Sequence, residues 1–169
     1  MDKSLILIGL RGSGKTTIAK KLSRFLKWPY IETDDYIANS AGMKISELII
    51  SKGIRNFRKL ERQAVIDAIK HNPAVIATGG GVVENPENMN LLKKKGRIIY
   101  LKGDPAILAG RIGNDQNRPL LTSSNNMKED LINLYHKRKK LYRNWADLII
   151  EVNNQNPSKT IKKIMEKIC

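Results

Sequence analysis

Residues 9 to 17 read GLRGSGKTT and follow the apolar run LILI at 5–8. Gly9, Gly14, Lys15 and Thr16 fit the spacing G-x-x-x-x-G-K-[ST], a loop that cradles phosphate. Glycines at 9, 12 and 14 let the chain curl so that the backbone N–H groups of Gly12, Ser13, Gly14, Lys15, Thr16 and Thr17 turn toward phosphate oxygens. Lys15 brings a point charge to the β and γ phosphates, and the Thr16 hydroxyl can ligate Mg²⁺. The helix that follows aims its positive end at the same anion. Ile18, Leu22 and Phe25 recur at i, i+4 and i+7, the pattern of a helix with one buried face. A strand leading in and a helix leading out are the context the motif requires. The loop therefore holds a nucleoside triphosphate, but it does not separate a kinase from an ATPase or a GTPase.

Four other stretches could do chemistry. YIETDDYI sets Glu32, Asp34 and Asp35 just past a short apolar pair, where carboxylates could hold Mg²⁺ or orient a hydroxyl; Thr33 or Asp34 could equally be a helix N-cap. NFRKLE places Arg58 and Glu61 three apart, which suits a surface ion pair within a helix. IATGGGVV spends three glycines, 79 to 81, after a buried strand. That is costly in backbone entropy and suits a close approach of the backbone to a ligand. Arg118 stands in the polar stretch 113–126, GNDQNRPLLTSSNN, where it is either a solvated arginine or a charge delivered to a transferring phosphoryl group.

These residues need a scaffold, and the periodicities supply one. Strand character recurs at Leu5–Ile8, Tyr30–Ile31, Val75–Ala77, Ile98–Leu101 and Leu148–Val152. Helical patterns lie between them: Leu60, Ala64 and Ala68 mark one, a second ends at Gly96, expected as its C-cap, and Ile161, Ile164 and Ile168 mark the last. Strands alternating with helices predict an α/β fold with a parallel sheet covered on both faces. A length of 169 residues suits one domain, and the 41% apolar share suits an ordinary core. No apolar run is long enough to span a membrane, and no leader is expected at the N-terminus. The single cysteine, Cys169, excludes an intrachain disulfide and points to a reducing, cytoplasmic setting. The net charge of +15 allows two readings, a nucleic-acid surface or an enzyme for anions on a lysine-rich background. With aromatics at only 5%, and lysines scattered over helical surface positions, the second is favoured.

Taken together and in order, GLRGSGKTT, ETD, FRKLE, GGG, RPLL and RKKLY resemble the shikimate kinase family over nearly the whole chain. The resemblance implies a three-layer α/β/α P-loop kinase fold with a five-stranded parallel sheet, spanning 1–169 as one domain. A lid would lie near 113–126 and a small substrate-binding region near 33–61. It implies transfer of the ATP γ-phosphoryl group to the 3-hydroxyl of shikimate with Mg²⁺ as cofactor, held near Thr16 and Glu32. Lys15, Asp34 and Arg118 would be catalytic. Arg58 and Arg138 would clamp the shikimate carboxylate with their guanidinium forks, and Gly79, Gly80 and Gly81 would offer backbone to it. Arg111 and Pro157 would border adenine, and Arg118 would reach the phosphates from the lid.

The sequence shows two departures from the family pattern. Glu32 stands where aspartate is usual, and Ile54 and Arg55 follow Gly53 where an acidic residue is common. Other expectations are a cytoplasmic monomer with small-molecule partners only, and neither nucleic acid nor membrane among them. Two alternatives remain at this point: a kinase of the same fold acting on gluconate or a nucleoside monophosphate, and a basic P-loop protein that binds nucleic acid.

Overall fold

A computed structural model of the chain describes residues 3–113, 120–154 and 156–168. Five parallel strands stand in the order β2-β3-β1-β4-β5. They are β1 (Ser4–Ile8), β2 (Tyr30–Glu32), β3 (Val75–Ala77), β4 (Gly96–Lys102) and β5 (Leu148–Glu151). Seven helices connect and flank them: α1 (Lys15–Leu26), α2 (Thr33–Ala41), α3 (Ile45–Ala68), α4 (Pro86–Lys95), α5 (Pro105–Ile112), α6 (Met127–Trp145) and α7 (Pro157–Ile168).

The continuous apolar run of β1 follows from burial on both faces. Leu5 and Leu7 pack with Ile18, Ala19 and Leu22 of α1 and Ile164 of α7. Ile6 and Ile8 turn the other way, to Val65 of α3, Met89 and Leu92 of α4, Leu108 of α5 and Leu131 and Tyr142 of α6. A third, smaller cluster of Ile37, Leu48, Phe57 and Ala64 joins α2 to α3 beyond the sheet. Phe25, expected on the buried face of α1, is 67% exposed. The inward stripe steps by four from Ile18 to Leu22 to Leu26, which packs against the core in its place.

Helix starts follow local rules. Asn85 accepts from the N–H groups of Glu87 and Asn88 ahead of Pro86, and Asp104 accepts from those of Ala106 and Ile107 ahead of Pro105. Asn126 caps α6 through Glu129 N–H. Gly96 ends α4, but its φ of −159° is extended rather than left-handed. A side chain there would meet the Ser4 carbonyl oxygen at 2.4 Å, so close strand packing is what calls for glycine. Gly53 interrupts α3 with φ 78° and ψ 162°, a conformation an L side chain rarely adopts. The break redirects the helix just before Ile54 and Arg55.

One buried carboxylate secures the segment that enters α6. Asp130 is fully buried, and its Oδ1 accepts from Leu121 N–H (2.9 Å), Thr122 N–H (2.7 Å), the Thr122 hydroxyl (2.8 Å) and the Ser124 hydroxyl (3.3 Å). Asp130→Ala strands these donors. The expected cost is about 2 kcal/mol, read as a fall in melting temperature of roughly 4–8 °C by circular dichroism.

Candidate active site

The strand order reverses about β1, so its two neighbours bring their own loops to its C-terminal end. Thr78 donates to the Leu7 carbonyl through both its N–H (3.2 Å) and its hydroxyl (2.9 Å). This seats the triple-glycine turn beside the phosphate loop. The loop curls as the motif requires, with positive φ at Gly9, Gly12 and Gly14. Lys15 Nζ donates to the carbonyls of Gly9 (2.8 Å) and Leu10 (2.9 Å) and so folds back over the loop. Gly12, Ser13, Gly14, Thr17, Arg111, Val152 and Pro157 help line a cavity of about 230 Å³. The Ser13 hydroxyl is buried without a hydrogen-bond partner among the described residues. Arg111 donates to the carbonyls of Val152 and Asn153, which fixes its plane on that wall.

At the end of β2, the hydroxyls of Thr16 (2.7 Å) and Tyr30 (2.9 Å) both donate to Glu32 Oε2. Burial raises the Glu32 carboxyl above its ordinary range, against the pull of those two hydrogen bonds. Neither Thr33 nor Asp34 caps α2: Glu32 is the cap residue, its side chain makes no capping bond to the helix, and the Thr33 hydroxyl instead accepts from Gly79 N–H (3.1 Å). Thr16 and Glu32 thus offer hard oxygens side by side next to the phosphate loop, a donor set that suits Mg²⁺.

A larger cavity, about 320 Å³, opens on the other side of the loop, lined by Arg11, Asp34, Arg58, Glu61, the three glycines and Arg138 among others. Arg11 and Gly12 are neighbours in sequence yet line different cavities, so the phosphate loop is their shared wall. Arg58 Nη1 donates to both oxygens of Glu61, at 2.9 and 2.8 Å. The surface ion pair expected from the spacing is therefore present but not on the surface, because Glu61 is 1% exposed. Burial pushes the Glu61 carboxyl up, opposed by Arg58. The glycines make room for these side chains: a Cβ on Gly79 would stand 2.7 Å from Asp34 Oδ1, and one on Gly81 would stand 2.5 Å from Arg58 Nη2.

Arg138 belongs to the charge run HKRKKLYR, yet it is 3% exposed. Its Nε donates to Glu84 Oε1 (2.6 Å), while Lys137 Nζ holds Glu84 Oε2 (2.6 Å). Burial would raise the Glu84 carboxyl, but the pairs with Lys137 and Arg138 outweigh it and hold it below its ordinary range. Tyr142 donates to the Gly80 carbonyl (2.6 Å) and stacks on Tyr100. Sequence reasoning gave no role to Glu84, Tyr30 or Arg11: Arg11 occupies a variable position of the phosphate loop, Tyr30 reads only as part of a strand, and Glu84 stands in no recognisable pattern. Glu61 had a signal in its spacing to Arg58. Arg118 lies outside the described residues, as do Pro119 of RPLL and the rest of 114–119.

A phosphate loop on one wall and a cavity of paired guanidinium groups on the other define a P-loop kinase for a small anionic acceptor. The family described as Shikimate kinase matches residues 11–169. A shikimate kinase of Dictyoglomus turgidum is 37% identical over 99% of this chain and 98% of its own length. One of Caldanaerobacter subterraneus subsp. tengcongensis is 40% identical over 98% and 94%. The solved shikimate kinase of Acinetobacter baumannii, in complex with shikimate, superposes with a TM-score of 0.93 at 30% identity, over 98% of this chain and 92% of that one. The chain belongs to the shikimate kinase family, with the five-stranded α/β fold expected of it.

Gly81→Ala tests the close packing around Arg58. The backbone at Gly81 (φ −90°, ψ −1°) accepts alanine, and the atoms in the way are the end of a long side chain. The fold should hold, with little change in melting temperature, while the KM for the acceptor rises about ten-fold or more as the fork is displaced.

Proposed function

We propose that this chain transfers the γ-phosphoryl group of ATP to the 3-hydroxyl of shikimate, with Mg²⁺ at Thr16 and Glu32. The observation that carries the reading is the convergence of Asp34, Arg58 and Arg138 on one cavity whose wall is the phosphate loop. A family of ATP-dependent shikimate kinases supplies the substrate pair. Two guanidinium groups, Arg138 buried and Arg58 half-buried, suit an acceptor with a carboxylate, which a neutral sugar lacks. Asp34 receives the hydrogen bond of the acceptor hydroxyl and aims its oxygen at the γ phosphorus. Lys15 moves from the Gly9 and Leu10 carbonyls to the β and γ phosphate oxygens. Adenine lies between Arg111 and Pro157. Bound with the nucleotide, Mg²⁺ would supply charge neutralisation at the β and γ oxygens. Arg118 adds its charge from 113–126, read as the lid, and 33–61 forms the substrate-binding region. Catalysis of this kind is positioning and electrostatics rather than covalent chemistry by the protein.

The chain is further read as a cytoplasmic monomer whose partners are small molecules; among the described residues no helix is long and apolar enough to cross a membrane. Strongly salt-dependent binding to DNA or RNA would overturn the small-molecule reading of the +15 charge.

A coupled assay with ATP across shikimate, gluconate and nucleoside monophosphates tests the substrate directly. Turnover is expected with shikimate, and a preference for either alternative overturns the reading. Lys15→Met should lower kcat by about a hundred-fold or more, the order of losing one preorganised charge at the transition state. It should also loosen the loop, because the Gly9 and Leu10 carbonyls lose their donor.

A further inference from the structure

The acceptor cavity holds its two arginines by different means. Arg58 is gripped along one edge by Glu61, on its own helix. Arg138 has no acid on α6 to do this. Its Nε is taken by Glu84, which closes the short turn after the triple glycine and lies 54 residues away in sequence. Arg58 Nη2 also stands 3.8 Å from the same Glu84 oxygen. A bridge of alternating charge therefore runs from Glu61 through Arg58 and Glu84 to Arg138, with Lys137 closing it at the second Glu84 oxygen.

We propose that Glu84 is a positioning residue for the acceptor: by engaging the Nε edge of Arg138 it leaves the Nη edge to the cavity and sets its spacing from Arg58. Three consequences follow from the geometry. A guanidinium this buried is costly without a counterion, and Glu84 supplies one before the acceptor arrives. A fork held at Nε loses less freedom when it binds, so affinity is gained through preorganisation rather than an added contact. Lys137 offsets the Glu84 charge, so the cluster of Arg58, Arg138, Lys137, Glu61 and Glu84 keeps one surplus positive charge for a monocarboxylate. Glu84 is not a catalytic residue, since it acts through Arg138.

This rests on reading the larger cavity as the acceptor site, and the experiment separates the two. Wild type, Glu84→Ala and Glu84→Gln are compared by steady-state kinetics in shikimate and ATP, by direct titration with shikimate, and by thermal melting. In Glu84→Ala the KM and dissociation constant for shikimate should rise about ten-fold or more, with kcat and the KM for ATP within about two-fold. Glu84→Gln keeps an acceptor for Nε but not its charge, and should recover part of the loss, to a rise of roughly three-fold. Melting identifies a variant that has merely lost its fold, and Gln preserves the shape if Ala does not. Unchanged shikimate affinity in both variants overturns the proposal. So does tighter binding, because Glu84 would then compete with the acceptor carboxylate for Arg138. Wild-type protein that fails to bind shikimate overturns the reading of the cavity itself.

Discussion

The whole site depends on the pairing of β1 with β3. Leu5, Leu7 and the residues between them align with Val75 to Ala77, and Thr78 ties the strand end with two bonds to a single Leu7 carbonyl. This pairing sets the phosphate loop against the triple-glycine turn, where Gly80 packs close to the Gly9 carbonyl. A slip of one residue would also reverse every side chain of β1 between the two cores. Parallel strands bury both faces, so the register is strongly determined by Leu5 and Leu7 on one side and Ile6 and Ile8 on the other. The hydrophobic pattern thereby sets the distance between nucleotide and acceptor.

The acceptor cavity is then a problem of charge. Arg58, Arg138, Glu61 and Asp34 are brought together around one cavity, and unpaired charges that lose water there are expensive. The chain resolves this by giving each arginine a carboxylate partner, Glu61 for Arg58 and Glu84 for Arg138. Glycines at 79 and 81 matter for the same reason: their missing side chains are the space that Asp34 and Arg58 occupy. The turn seemed built for close approach of a ligand; its nearest neighbours are instead the side chains that would meet the ligand.

Much of this was legible in the sequence, and the rest was not for identifiable reasons. The phosphate loop, the five strands and the two sets of cavity residues follow from local spacing and from the resemblance those motifs carry. Arg138 entered only through the resemblance that RKKLY carries, because the charge run HKRKKLYR gives no sign of which face is buried; the packing of α6 on β4 and on the turn at 82–84 decides it. Glu84 was invisible because its partners lie 53 and 54 residues away. Phe25 followed the helical period yet faces out, since the buried stripe of α1 is centred on Ile18, Ala19, Leu22 and Leu26 and position 25 lies at its margin. Periodicity locates a helix; it does not say how far the surface beneath it extends.

Glu32 shows how a departure from a family pattern is absorbed. Its side chain is longer than the usual aspartate by about one carbon–carbon bond, enough to displace a carboxylate beside a phosphate site. The extra reach is taken up by two hydroxyls, Thr16 from α1 and Tyr30 from the same strand, which converge on one oxygen. Tyr30 and Glu32 are two apart on β2 and so share a face of the strand, and a residue at 30 without a hydroxyl could not do this. Burial works against the ionised carboxylate, and these hydrogen bonds work for it. The substitution at 32 is therefore best understood with residue 30: the two positions together hold the carboxylate beside the Thr16 hydroxyl.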